Sequence, residues 1–292
     1  MTHLRAWAAP LLAAERRIDL VGGLTLVILL LTTQRTWGLQ IVLVPLVTAA
    51  IVDRRLLHRS GYWLATLAVY VVGVAPSVLE IDNHEWLLAY WLLALGLSRR
   101  LPEPAAALAT SARWLIGAAF AFAVLWKAAT PEYLSGGAFH GFLLLDPRFA
   151  GLAAAVSDLT LADGERGRVV ANALRVVGDP GLRVALPDAP AVARLAAVMT
   201  GWTLAIEAAV AAAFLAPRRW GGDRVRHATL LAFLFTTYAL APVLGFGWLL
   251  VALGLAHAPL SRHPGLLAAY VAAFGLVLAR ATAPLPWLLG LL

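Results

Sequence analysis

Residues 111–129 read SARWLIGAAFAFAVLWKAA, a run of nineteen residues in which only Arg113 and Lys127 carry charge. A helix needs about 20 mostly apolar residues to cross roughly 30 Å of hydrocarbon. Several other runs in the chain approach that length. The chain of 292 residues is 61% hydrophobic and 13% charged, whereas about a quarter of a soluble domain is charged. We therefore predict an all-α polytopic membrane protein.

Apolar length and the charges between the runs divide the chain into nine predicted spans. They cover approximately residues 18–34, 38–52, 61–79, 84–98, 111–129, 196–216, 227–241, 245–257 and 264–283. Residues 1–17 are predicted to form an in-plane amphipathic helix that precedes the first span. We expect residues 1–292 to form a single transmembrane domain, with 130–195 as its one long extracytoplasmic loop.

The basic residues alternate between the loops. Fourteen arginines fall in the N-terminal segment and in every second loop, whereas the short loops of the other side carry Arg35 and the acidic stretch EIDNHE, residues 80–85. Arginine and lysine accumulate in cytoplasmic loops. This pattern predicts a multi-pass protein of the cell membrane with its N-terminus inside and its C-terminus outside. The net charge of +7 then reflects topology and contact with the lipid bilayer, and we predict no nucleic-acid partner.

The long loop contains two segments with helix-like apolar spacing, AFHGFLLLDPRFAGLAAAV (138–156) and GRVVANALRVV (167–177). We predict short interfacial helices there. Two turns, ADGERG (162–167) and GDPG (178–181), are predicted to separate them.

Several kinds of chemistry find no support in the sequence. The chain has no cysteine, which excludes disulfides, thiolate catalysis and Cys-ligated metals. It contains no P-loop, dinucleotide fingerprint or G-x-S-x-G, and no spacing typical of a zinc site. His84-Glu85 does not extend to H-E-x-x-H, because residue 88 is leucine. We therefore predict no metal site.

Lys127 is the only lysine among 23 basic residues. A lysine close to the end of a span can extend to the headgroups. Arginine would serve that purpose equally well, whereas only a lysine can become a neutral amine, and so a general base, when it is buried. We predict Lys127 as a candidate catalytic base and keep the headgroup reading as its alternative.

Glu207 lies near the middle of the sixth predicted span. A carboxylate at that depth is costly unless it is protonated, paired or next to a polar cavity. Counted from the predicted span ends, Glu207 lies about eleven residues further inward than Lys127, roughly 16 Å at 1.5 Å per residue, so pairing of the two is left open.

Further candidates lie at the predicted outer side. His84 and Glu85, at the start of the fourth span, are proposed to assist Lys127. The alternative is a structural role, in which Asn83 caps the helix and the acidic residues of the first turn favour the helix dipole. The candidate substrate-binding residues are Asn83, Tyr133, Gly136, Gly137, His140 and Asp146. His227 begins the seventh span on the inner side and is predicted to be an intramembrane polar residue, as is Glu207.

Three stretches resemble a known family. FAFAVLWKAATPEYLSGGAF (120–139) is similar to the aromatic, Lys, Pro-acidic-aromatic, Gly signature of the HTTM (horizontally transferred transmembrane) domain family. That family includes the membrane part of vitamin K-dependent gamma-carboxylase. WTLAIEAAVAAAFLAPRR (202–219), with Glu207, and RHATLLAFLF (226–235), with His227, resemble two later spans of the family. Nine spans with the N-terminus inside also match.

The resemblance implies that Lys127 is a base which deprotonates a reduced, vitamin K-like quinone at the outer leaflet. The carboxylase holds its protein substrate with a large lumenal part that follows its spans. This chain ends at Leu292, so a separate docking partner is expected. One alternative is a non-catalytic membrane factor that helps a secreted peptide or partner protein to mature or to be exported through the 130–195 loop. A weaker alternative is a proton-coupled transporter that uses Glu207.

Overall fold

The structure, a computed structural model, describes residues 14–33, 37–77, 82–158, 160–177, 189–217, 222–240, 243–261 and 263–282. Within these ranges the chain forms thirteen α-helices and no strand, which confirms the all-α prediction. Most of the predicted in-plane helix lies outside the described residues, as do Arg35 and the predicted GDPG turn.

Nine helices form a bundle, and each coincides with one of the nine predicted apolar segments. They are α1 (Ala14–Thr32), α2 (Trp37–Val52), α3 (Ser60–Val74), α4 (Asn83–Ser98), α5 (Pro104–Ala129), α10 (Pro190–Leu215), α11 (Gly222–Leu240), α12 (Leu244–His257) and α13 (Gly265–Thr282). Short 3₁₀ turns follow α2, at Arg54–His58, and α3, at Ala75–Ser77. Two of the nine, α5 and α10, are long and apolar enough to cross a membrane.

Buried apolar side chains from all nine bundle helices form one continuous core. α12 lies at its centre, and nearly all of its residues from Gly245 to His257 are buried. The largest side chains in this core include Trp63, Trp91 and Tyr70, each of which is at most 1% exposed. The Trp91 indole donates a hydrogen bond of 2.9 Å to the Thr25 hydroxyl, so this buried polar group is paired, as buried polar groups generally are.

Arginine contacts join the helix ends at one end of the bundle, which we call the basic end. The Arg17 guanidinium donates to the carbonyl of Ala258, 2.8 Å away, after the end of α12. Arg113 of α5 and Arg226 of α11 both donate to the carbonyl of Ala216, just after α10, at 2.8 and 3.0 Å. Cations stabilise the unpaired carbonyls at a helix C-terminus. We call the opposite end of the bundle, where α5 ends and α10 begins, the far end.

α5 and α10 pack closely because α5 carries a glycine at their contact. A Cβ atom at Gly117 would lie 2.7 Å from Leu215 Cδ2 and 3.3 Å from Phe214 Cβ. A small residue at such a crossing lets two helix backbones approach each other. This contact, near the basic end, sets the register of the two antiparallel helices.

Four helices of 4 to 17 residues form a cap on the far end: α6 (Pro131–Leu134), α7 (Gly137–Leu145), α8 (Ala150–Val156) and α9 (Leu161–Val177). The first half of α10 contacts α7 and α8 through a second, smaller apolar cluster that includes Phe139, Leu143, Val192 and Ala196. The short helices predicted for this loop are therefore present, and they have a core of their own.

The ADGERG segment is helical, so the turn predicted there is wrong. Thr160 and Asp163 cap α9 reciprocally: the Thr160 backbone N–H donates to the Asp163 carboxylate at 2.8 Å, and the Asp163 N–H donates to the Thr160 hydroxyl at 3.3 Å. These hydrogen bonds, together with one from Arg166, lower the pKa of Asp163 to about 2. Gly167 allows α9 to approach α7, because a Cβ atom there would lie 2.8 Å from the carbonyl oxygen of Leu144.

We predict that Gly117→Leu destabilises the bundle by about 1–3 kcal/mol, because the new side chain overlaps Leu215 at a closely packed contact. Thermal unfolding of the purified protein in detergent measures the effect. Gly201→Leu is the matched control, since it makes the same change within α10 at a position with no atom within 4 Å of the added Cβ. Equal stability of the two variants would contradict the close α5–α10 contact.

Candidate functional site

The side chains of Lys127 and Glu207 form an ion pair between α5 and α10. The Lys127 ammonium nitrogen lies 2.5 Å from Oε1 and 2.6 Å from Oε2 of Glu207, so both carboxylate oxygens accept from it. The Glu207 side chain is 8% exposed and that of Lys127 is 18% exposed. The carboxylate is therefore enclosed by the protein, whereas the Lys127 side chain stays partly accessible.

The expected depth difference of about 16 Å between Lys127 and Glu207 is wrong. α10 begins at Pro190 rather than at residue 196, and its first half extends past the end of α5 into the cap. Glu207 therefore lies seventeen residues, roughly 25 Å at 1.5 Å per residue, from the start of its helix, yet it is level with Lys127. The 16 Å estimate assumed that α5 ends and α10 begins at the same level along the bundle, whereas α10 begins beyond the end of α5.

Tyr133 and Gly136 place the first turn of the cap over this ion pair. The Tyr133 ring centroid lies 5.4 Å from the Lys127 nitrogen, a distance at which an aromatic face attracts a cation. Burial and the nearby Glu207 carboxylate raise the pKa of the Tyr133 hydroxyl. Gly136 has a positive φ of 82° and lies against the backbone of α10 at Ala197, so a side chain there would be strained.

The remaining cap candidates, Gly137, His140 and Asp146, lie in α7 or directly after it. Asp146 accepts hydrogen bonds from the backbone and the guanidinium of Arg148. Hydrogen bonding to Asp146, with a further attraction from Asp82, raises the pKa of Arg148. His140 is in α7, with its Nε2 atom buried and without a hydrogen-bond partner among the described residues. Gly137 begins α7 next to the carbonyl of Glu132.

Asn83, His84 and Glu85 occupy the first turn of α4. The His84 ring lies directly against Gly245 of α12, where an added Cβ would be 2.6 Å from Nε2, and its Nδ1 is 3.9 Å from the Asp82 carboxylate. The Glu85 carbonyl accepts a hydrogen bond from the Tyr70 hydroxyl at 3.3 Å. These contacts join α4 to α12 and α3. The contacts that define the Lys127–Glu207 site come instead from α5, α10 and the cap, and assistance of Lys127 by His84 and Glu85 stays a prediction.

His227 belongs to a buried polar cluster at the basic end. This cluster was not predicted from the sequence. Its Nδ1 lies 2.8 Å from the Tyr270 hydroxyl, and its ring stacks on that of His257 with centroids 5.4 Å apart. His257 Nε2 lies 3.6 Å from Asp223, which also pairs with Arg226 at 3.0 Å. The members come from three different helices, α11, α12 and α13, so no local spacing could have revealed them.

No protein-family model, no curated protein and no solved structure matches this chain. Within the described residues no group of three or more His, Asp or Glu side chains is arranged to hold a metal ion. The strongest candidate site is the Lys127–Glu207 pair with Tyr133. It is identified by the short amine–carboxylate contacts and by the aromatic ring beside the amine.

We predict that the pair contributes to stability in a strongly non-additive way. Lys127→Met leaves the Glu207 carboxylate enclosed without its partner, and loss of one partner of a buried pair costs about 3–5 kcal/mol. The partial exposure of Lys127 places the expected value at the lower end. The double variant Lys127→Met/Glu207→Leu should recover most of the loss.

Unfolding of the two single variants and the double variant in detergent measures the coupling. Arg55→Met, an exposed cation at the basic end, is the control for the loss of a positive charge. Additive effects of the two substitutions would show that the two side chains are not in contact.

Proposed function

We propose that the chain is a multi-pass integral membrane protein whose nine bundle helices cross the bilayer, with the basic end inside and the cap outside. The alternation of arginines between loops supports this orientation. Large apolar side chains on the outer surface of the bundle support the lipid contact. On α5 alone, Trp114, Phe122, Leu125 and Trp126 are 52–75% exposed.

The proposed activity is acid–base chemistry by the Lys127–Glu207 pair on a lipid-soluble substrate with an acidic hydroxyl, in the class of reduced quinones. The observation that carries this proposal is the contact of one amine with both oxygens of an enclosed carboxylate, at 2.5 and 2.6 Å. Such a contact provides a proton acceptor behind a side chain that is itself accessible. The resemblance of residues 120–139 to the HTTM signature supports the quinone class.

The proposed step is a relay in which Lys127 passes on a proton, so that one proton moves in net from the substrate hydroxyl to Glu207. A substrate hydroxyl next to Lys127 gives its proton to the amine as the Lys127 ammonium gives one to Glu207. The products are a substrate oxyanion, an ammonium beside it and a neutral Glu207 carboxylic acid. The ammonium then stabilises the new oxyanion. Electrostatic stabilisation of this kind is usually the largest single contribution to an enzyme's rate enhancement. Tyr133 encloses the amine from the cap side.

A reduced naphthoquinone with a short tail tests this proposal, since its neutral and anionic forms differ in absorbance. In nanodiscs under anaerobic conditions, the wild type should bind it with the spectrum of the anion at neutral pH. Lys127→Arg keeps the positive charge but cannot relay a proton, so it should bind the neutral form. Glu207→Gln should lose the anion signal as well. An anion spectrum in the Lys127→Arg variant would reject proton relay by Lys127.

A second candidate function is a non-catalytic membrane factor for the maturation or export of a secreted peptide or partner protein. The cap favours it, because it has an apolar core of its own and exposes Phe142 and Val169, which are 44% and 58% accessible. Deletion of residues 150–190 should then abolish maturation of the partner, whereas Lys127→Met should not. The opposite pattern would favour the proton-transfer function.

A further inference from the structure

A groove of about 860 Å³ runs between α1 and α2 on one side and α13 on the other. Its floor is α12, where Val251 and Leu255 are buried. α1 and α13 both pack on α12, and the space between them forms the groove. Ligand sites in proteins commonly measure about 300–1,000 Å³, so the groove is large enough for an organic ligand.

The groove is apolar along its length and opens sideways. Its walls include Val27, Ile51 and Val271, which are 45%, 66% and 60% exposed. From Arg16 to Leu30 the groove follows α1 for fourteen residues, roughly 21 Å at 1.5 Å per residue. One leaflet contributes about half of a hydrocarbon core of about 30 Å, so the groove matches one acyl chain with its polar end.

The charged residues of the lining, Arg16, Asp19 and Arg54, lie together at the basic end. Asp19 supplies the one carboxylate among the described residues of the lining, and His58 Nε2 lies 2.8 Å from its Oδ1. Arg16 and Arg54 are exposed side chains at the groove mouth. The charge that is left over at this end is therefore positive.

A third guanidinium stands behind this mouth. Arg99 donates from Nε to the carbonyl of Leu57, a lining residue, at 3.0 Å. Its two terminal nitrogens are buried and have no hydrogen-bond partner among the described residues. Because these nitrogens are buried, Arg99 adds positive charge behind the mouth rather than a direct contact for a ligand, and the Asp19 carboxylate attracts it.

We propose that this groove binds one membrane phospholipid with an anionic headgroup, with an acyl chain between α1 and α13 and the phosphate at Arg16 and Arg54. Basic pockets between helices on the cytoplasmic side bind anionic headgroups in this manner. The site is on the side opposite to the Lys127–Glu207 pair. Its proposed role is to anchor α1, α2 and α13 to the inner leaflet, and it does not depend on proton transfer at Lys127.

Gly23→Phe tests the acyl part of the site. Gly23 lines the groove, and no atom lies within 4 Å of a Cβ built there. The added ring therefore fills the groove without displacing protein atoms, and replacing a mid-helix glycine does not weaken the helix. The matched control is Gly61→Phe, at the basic end of α3 and outside the groove, where the added Cβ again meets nothing within 4 Å.

The measurement is native mass spectrometry of protein released from nanodiscs that contain equal amounts of phosphatidylglycerol and phosphatidylcholine. The wild type, Gly61→Phe and Lys127→Met should retain phosphatidylglycerol in preference to phosphatidylcholine. In Gly23→Phe the amount of retained phosphatidylglycerol should fall at least tenfold, and a tenfold change corresponds to about 1.4 kcal/mol. Arg16→Gln/Arg54→Gln should lose the preference for phosphatidylglycerol.

Three outcomes would overturn the proposal. The first is unchanged retention in Gly23→Phe, and the second is an unchanged preference in Arg16→Gln/Arg54→Gln. The third is displacement of the lipid by inorganic phosphate, which would identify the site as one for a free anion. Retention by Lys127→Met separates this site from the proposed proton transfer, so either proposal can fail without the other.

Discussion

The ion pair between Lys127 and Glu207 joins the two longest helices of the bundle, α5 and α10, each of 26 residues. The close approach of α5 and α10 at Gly117 brings the two side chains within reach of each other. The same alignment of the two helices positions the cap. Because α10 extends beyond α5 at the far end, its first half is available to hold α7 and α8 through a separate apolar cluster. One inter-helix register therefore places the amine, the carboxylate and the cap together.

Buried polar groups are concentrated at two levels of the bundle. At the basic end, Arg226 pairs with Asp223 and donates to the carbonyl of Ala216, just after α10. The rings of His227 and His257 stack beside this pair, with His257 Nε2 3.6 Å from Asp223. This arrangement explains His227 as part of a network that joins helix ends. The Lys127–Glu207 pair differs from it in one respect: the side chain of its cation is 18% exposed, whereas that of Arg226 is 1% exposed.

The sequence predicts the helices better than it predicts the contacts between them. Apolar length was sufficient to locate the nine bundle helices, and the single lysine and the mid-helix Glu207 were identified because each is costly or unusual in an apolar run. The pairing of Lys127 with Glu207 was missed, since it depends on where α10 begins. Pro190 indicates where α10 begins, because proline is typical of the first position of a helix. The partners of His227, which are His257 and Tyr270, come from distant helices, and no periodicity within one segment reveals them.

The most direct test of the pair is acylation of Lys127 by an amine-selective reagent in nanodiscs, followed across pH in the wild type and in Glu207→Gln. Lys127 is the only lysine, so peptide mapping separates its signal from that of the N-terminal amine. With the carboxylate in place, both of its oxygens contact the amine at 2.5 and 2.6 Å, which hinders its reaction with the reagent. The account predicts that Glu207→Gln is labelled faster than the wild type. Identical profiles in the two proteins would contradict it, because Lys127 would then extend to the headgroups without contacting Glu207.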